Sequence, residues 1–191
     1  LDATHASSTY NTAAGANALG AVNGAAAHYN TAVGGQAGAS ITSGPSNTAV
    51  GALALDATDD GTRNTAVGVL SLSANCADDN TAVGTSALTA FIGSYATAVG
   101  SGAANSATSA TNTTAVGYNA LGATDDGNDN TAVGSQAFNS NCGDHNVGLG
   151  AFAGNYTSGN RNSFLGHWAG IYATSTDDCI AIGKSALSGA S

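Results

Sequence analysis

An apolar residue followed by glycine returns along this chain at a nearly fixed interval. The glycines are Gly15, Gly34, Gly51, Gly68, Gly84, Gly100, Gly117, Gly134, Gly150, Gly166 and Gly183, spaced by 19, 17, 17, 16, 16, 17, 17, 16, 16 and 17 residues. Aligned on that glycine, the chain resolves into columns. The residue before it is Ala14, then valine from Val33 to Val133, then Leu149, Leu165 and Ile182. Two before it stands alanine, except at Gly148 and Phe164; three before it stands threonine, replaced late by Val147, Ser163 and Ile180. Three after it stands alanine, once Ser71, and four after it Leu, Phe, Ala or Gly. Self-similarity at a fixed period marks a repeat architecture.

The period is too short for a strand–helix–strand unit, which takes ~30 residues. It suits one coil of a β-solenoid, built from two short strands and two turns. The predicted fold is therefore all-β: a parallel β-roll of about eleven coils, with a lead-in over 1–10 and one repeat domain over 11–191. At about 4.8 Å per coil the rod is on the order of 50 Å long. Alternate residues of a strand share a face, so threonine and valine face one way, and alanine and glycine the other. Branched side chains suit a buried pleated surface, which predicts that threonine and valine point inward. The small Ala/Gly side lets another backbone come close, and the glycine permits a positive φ at the corner. Asn30, Asn47, Asn64, Asn80, Asn130, Asn146 and Asn162 form a further column, read as a ladder of amides bonded up and down the stack. The turns "TDDGTRN" (58–64), "CADDN" (76–80), "TDDGNDN" (124–130) and "CGDHN" (142–146) are built of turn formers.

Composition narrows the partners. The net charge is −9, and the only cations besides histidine are Arg63, Arg161 and Lys184, far apart in sequence. That excludes nucleic acid and an anionic membrane surface as ligands, and no apolar run reaches the ~20 residues of a membrane-spanning helix. No signal peptide opens the chain at Leu1, so it reads as a processed product or a fragment. Each coil has little to bury against ~1–2 kcal/mol of backbone entropy per residue. Several chains packing their Ala/Gly sides together would meet that deficit, and a homotrimer is the expected closure.

The units "NTAVGTSAL" (80–88), "TTAVGYNAL" (113–121) and "CIAIGKSAL" (179–187) resemble the head repeats of trimeric autotransporter adhesins. They are still more similar to the N-T-A-V-G-x-x-A-L repeats of bacterial and phage tail-fibre-type proteins. The resemblance covers about residues 11–187. It implies a left-handed parallel β-roll, three chains, and an extracellular fibre on a cell or virion surface. The unit here is longer than the adhesin's and its turns more acidic, and no heptad run marks a stalk. The tail-fibre resemblance also implies a self-cleaving C-terminal chaperone, so that an end at Ser191 reads as the product of such a cut.

Candidate chemistry is sparse. His5, His28, His145 and His167 fall in different units, and no serine has a catalytic context, so no catalytic residue is assigned and the chain reads as a non-enzyme. Stacking brings Asp59 and Asp60 near Asp78 and Asp79, and Asp125, Asp126 and Asp129 near Asp144; these are candidate calcium ligands, although their order matches no known calcium loop and no cofactor is otherwise expected. Cys76 and Cys142 share a turn position and are candidates for bonds to neighbouring chains, while Cys179 replaces a ladder asparagine and reads as a buried thiol. Phe138, Phe152, Tyr156, Phe164, Trp168 and Tyr172 crowd into 35 residues. They read either as an end cap or, for Phe152, Tyr156, Trp168 and Tyr172 with Arg161 and His167, as a binding patch for a cell-surface glycan or protein receptor. The leading functional reading is a structural fibre module, acting as spacer or adhesive head. The alternative is an ice-binding solenoid, which requires the threonine column to face outward.

Overall fold

The computed structural model describes residues 10–22 and 26–189. Of the expected lead-in over 1–10 only Tyr10 is included; His5 and Ser191 lie outside the described residues. Tyr10 already belongs to the first coil, since its ring stacks on Tyr29 at 5.1 Å and 4°.

The chain winds as a parallel β-solenoid. Eleven strands of three residues, from Thr12–Ala14 to Ile180–Ile182, stack in chain order into one sheet. Every neighbouring pair is parallel and in register; through the first eight strands threonine lies on threonine and alanine on alanine. The spacing of 16 or 17 residues is therefore one turn of the coil. Each coil carries a single short strand rather than the two expected, and turns make up the rest.

Those turns owe their regularity to a backbone conformation that the periodicity did not announce. Besides the motif glycine, three positions of each coil have positive φ. They lie five before it (Tyr29 58°, Arg63 58°, Asp129 56°), two after it (Gln36 59°, Leu53 57°) and four after it (Leu55 54°, Leu72 48°, Phe138 46°). A non-glycine residue pays roughly 1–2 kcal/mol for this region. The return lies in the peptide unit just before it, which is turned along the stack. The Gln36 N–H donates to the Ala16 carbonyl of the coil before (2.8 Å), while the Gly35 carbonyl accepts from Leu53 of the coil after (3.0 Å). The unit before Leu55 does the same in the opposite sense: Leu55 N–H donates to Ser71, and the Ala54 carbonyl accepts from Gly38. Leaving such a buried pair unbonded would cost about 1–3 kcal/mol per group, so the left-handed residues are retained.

The strands face the opposite way from the expectation. Ala32 is 0 % exposed, whereas Val33 beside it is 42 % exposed, and the pattern recurs from strand to strand. Alanine points into the coil; threonine and valine point out. The physical reason is width: the interior already holds the alanine and leucine three and four places after the glycine, such as Ala87 and Leu88, both fully buried. Opposite them there is room for a methyl group and no more. The small Ala/Gly residues therefore line the inside of each coil and do not form the surface between chains that was expected. The motif glycines turn the corner at φ 113–140°. They also stack closely: a Cβ on Gly84 would lie 2.5 Å from the Gly100 carbonyl oxygen.

The exceptions to the small-residue rule at Phe138 and Phe164 are each matched by a glycine, in the next coil for Phe138 and in its own coil for Phe164. Phe138 occupies a leucine position and is fully buried; a Cβ on Gly148, in the next strand, would meet its ring at 2.6 Å. Phe164 takes the strand alanine's place, and a Cβ on Gly170 would meet its ring at 2.6 Å. Each large ring fills the space that a neighbouring glycine leaves, and the two rings touch at 5.9 Å between centroids.

The asparagine column is a ladder, though not of amide on amide. Oδ1 of each asparagine accepts the backbone N–H of its counterpart in the next coil. Asn47 N bonds Asn30 Oδ1 (2.8 Å), Asn64 N bonds Asn47 Oδ1, and Asn162 N bonds Asn146 Oδ1. The Nδ2 donates to a turn carbonyl: Asn47 to Gly61 (2.8 Å), Asn130 to Gly143 (2.8 Å). All seven asparagines are at most 1 % exposed. Where the column lapses at Ala96, that residue's N–H still reaches Asn80 Oδ1 (3.0 Å).

Two substitutions separate these contributions. Asn64→Ala strips the acceptor from Asn80 N–H and the donor from the Ala77 carbonyl, and should lower unfolding free energy by about 1–3 kcal/mol in a denaturant titration. Gly84→Ala should be worse, since a strained φ alone costs about 1–3 kcal/mol and the methyl also meets rigid backbone. Equal losses in the two variants would count against the close stacking of the glycine corners.

Candidate functional site

Two outward features stand apart from the regular core: the threonine/valine face of the sheet, and the side of the last coils where aromatics collect.

The sheet face carries two columns. Thr12, Thr31, Thr48, Thr65, Thr81, Thr97, Thr114 and Thr131 are half-buried or exposed, and the valines beside them run parallel. Towards the end of the stack the face becomes wholly apolar in places, with Val147 and Leu149 at 39 % and 38 % exposed, then Ile180 and Ile182 at 75 % and 69 %. The threonines were expected inside; the sheet presents them outside, where the ice-binding alternative requires them to be.

The six crowded aromatics divide. Phe138 and Phe164 enter the core. Phe152, Tyr156, Trp168 and Tyr172 stay outside and line a groove of about 450 Å³ together with Ile171, Asn155, Ser185 and Ser188. The groove follows from the repeat. Phe152 and Trp168 stand two places after successive motif glycines, and Tyr156 and Tyr172 six places after, so each pair is set one coil apart. The tyrosine rings stack at 5.4 Å and 7°. His167 stacks on Trp168 (4.4 Å, 26°) and meets Phe152 edge-on (6.4 Å, 70°). Asn155 is 4 % exposed and held by a bond from its Nδ2 to the Gln136 carbonyl (2.7 Å). Arg161, expected in this patch, is not part of the groove. It sits in the column five before the glycine and grips Asp178 with two bonds (2.6 and 3.0 Å).

The acidic turns use their carboxylates on the chain itself. Arg63 forks onto Asp79 (2.6 and 2.8 Å), which holds that carboxyl below its usual range, as Arg161 does for Asp178. Asp78 Oδ1 accepts from the Thr62 N–H (2.8 Å) and hydroxyl (2.9 Å), and Asp144 Oδ1 from the Asn128 N–H (2.8 Å). Asp59 caps the Asp60 N–H (2.8 Å), Asp126 is raised by its neighbour Asp125, and Asp129 lies 3.6 Å from His145. Among the described residues no three of these carboxylates, histidines or thiols converge on one point.

The cysteines correct a further expectation. Cys76 and Cys142 are 1 % and 2 % exposed and lie inside the coil, each thiol against a threonine hydroxyl, Thr58 (3.2 Å) and Thr124 (3.4 Å). A thiol on the inner side cannot reach a neighbouring chain. Burial raises both, Cys142 to about 11. Cys179, expected to be buried, is half-exposed near the end of the stack, its N–H on Asn162 Oδ1 (3.0 Å).

No protein-family model matches this chain, and neither a curated protein nor a solved structure is significantly similar to it.

The thiols give a direct check on the inward geometry. At pH 8 the native protein should react rapidly with a colorimetric thiol reagent at Cys179 alone. Cys76 and Cys142 should respond only after denaturant is added, because they are sealed from the reagent and Cys142 titrates about three units above that pH. Fast reaction of all three in the native protein would contradict the placement.

Proposed function

We propose that this chain is a structural fibre module, a spacer or adhesive head of an extracellular assembly, that associates with copies of itself through the threonine/valine face of its sheet. The observation that carries the reading is that face. Eleven in-register strands present mostly branched side chains outward along the stack, and the last three units exchange threonine and valine for Val147 and Leu149, Ser163 and Leu165, and Ile180 and Ile182. An exposed valine column beside threonine methyl groups, running along the sheet and turning apolar near its end, is the kind of surface that serves as an interaction site, and the argument for a trimer passes from the Ala/Gly side to this one. The module's work is mechanical. Axial hydrogen bonds in every coil make a stiff rod with few free backbone groups for a protease to engage.

A second reading has an observation in its favour. The outward threonine column is what an ice-binding solenoid requires, and its regular parallel repeat is the arrangement that could order water. Against it, the column gives way to Val147 and Ile180 at one end, where an aliphatic surface serves packing better than water ordering.

Mass in solution and thermal hysteresis separate the two. The fibre reading expects an oligomer, trimeric by our preference, whose mass is unchanged by reductant, and which Val83→Asp together with Val99→Asp dissociates. It expects no hysteresis. A monomer that depresses the freezing point would move the assignment to ice binding, and a monomer that does not would remove both.

A further inference from the structure

We infer that the aromatic groove beside the last coils is a binding site for a neutral oligosaccharide. This rests on the fibre reading only for the setting in which the sugar is met, as the receptor of an adhesive head; the chemistry stands on the groove itself.

Four of the chain's eleven aromatic residues line it, including its one tryptophan. They are exposed where aromatics are costly to expose: Trp168 is 41 %, Tyr156 49 % and Tyr172 51 % accessible. Two places after the glycine the earlier coils hold asparagine, glutamine, leucine, serine or glycine, and six places after it alanine or serine; none puts an aromatic at either place, so nothing in the repeat demands these rings. The core's need for larger groups at this end is met by Phe138 and Phe164, both buried. The cap explanation therefore accounts for two of the six aromatics; the outer four contact one another or His167, and none of them is buried in the core.

The lining selects the ligand class. Aromatic faces offer an apolar surface with a negative quadrupole, which suits the C–H faces of a pyranose ring. Ser185, Ser188 and the tyrosine hydroxyls supply hydrogen-bonding groups along the same groove; a wholly apolar occupant would leave those groups without partners. Among the described residues no charged side chain lines the groove, in a chain of net charge −9. Arg161 is committed to Asp178. An anionic ligand would thus be repelled by the overall field and find no cation, whereas a neutral one is indifferent to it. A stacking nucleobase is disfavoured for the same reason, since its phosphates need cations. The volume falls within the ~300–1,000 Å³ of small-ligand sites. No strand residue lines the groove, so self-association through the sheet face leaves it open.

The one tryptophan makes the site self-reporting. Neutral hexasaccharides of glucose, mannose, galactose and N-acetylglucosamine, together with a polysialic and a polyuronic acid of similar length, are titrated into the whole chain while Trp168 fluorescence is followed. We expect saturable change with at least one neutral series and none with the acidic ones. Tyr172→Ala and Tyr156→Ala should each weaken that binding tenfold or more, while circular dichroism and solution mass stay as in the parent. Ser43→Ala, in an exposed turn of an early coil, should leave it unchanged. No saturable response across the neutral panel would overturn the proposal, as would equal binding of the acidic sugars, or binding indifferent to both tyrosines. A change of mass in Tyr172→Ala would overturn it too, by showing that another copy of the chain fills the groove. A chain that is monomeric yet binds a neutral sugar would defeat the fibre reading and leave this one standing.

Discussion

The alignment of backbone hydrogen bonds along the stack is the constraint from which the rest of this structure follows. A strand of three residues can satisfy few groups by itself, so the corners must bond axially as well. They do so by repeating left-handed residues at fixed places, which forces each coil into register with the next. Register then brings identical residues together. Asparagine meets the N–H above an asparagine, glycine stacks against glycine, and Arg63 finds Asp79 one turn away. The same constraint keeps the coil narrow. Its interior is a column of alanine methyl groups and leucines, and its buried phenylalanines, Phe91, Phe138 and Phe164, each lie against a glycine that leaves room for the ring.

Much of this was legible in the residues. The period gave the coil length and count, the glycine column its positive φ, and the asparagine column its ladder. What the periodicity could not distinguish was which side of a three-residue strand is inside. Branched residues are favoured on sheets because they fit a pleated surface, a preference that holds for either face. The better guide was invariance of size. Threonine gives way to Val147, Ser163 and Ile180, whereas alanine yields only to Gly148 and Phe164, and each of those has a partner of complementary volume. A column whose exceptions are compensated elsewhere is the enclosed one.

The left-handed corners also left a trace. The position four after the glycine accepts leucine, but also Gly38, Gly154 and Gly170; the position five before it holds Asp79, Asn112, Asp129 and Asp178. Leucine and glycine share neither size nor polarity. A column that admits both is constrained by backbone conformation, with side-chain volume adjusted by the neighbours. The aromatic cluster was less readable, because proximity in sequence placed Phe138 and Arg161 with residues that the coil sends to other sides. Only the count of places from the glycine separates them: four for a core position, two and six for the groove, and minus five for the paired corner.

The fixed register also governs how such a rod can acquire a site on its surface. A side chain placed in one coil recurs as a column when the unit is copied, so most of the surface inherits the same two or three residues. Thr and Val repeat because the sheet face is one long surface, and its value lies in continuity. The groove is the opposite case. It depends on Phe152 and Tyr156 in one coil matching Trp168 and Tyr172 in the next, at the same places where earlier coils hold asparagine, glutamine, leucine, serine, alanine or glycine. Two adjacent coils are enough to create a concave site, because the fixed stacking distance brings their side chains together without any change in backbone. Departure from the repeat at constant register is thus sufficient to build recognition on a frame whose stability rests on positions left untouched.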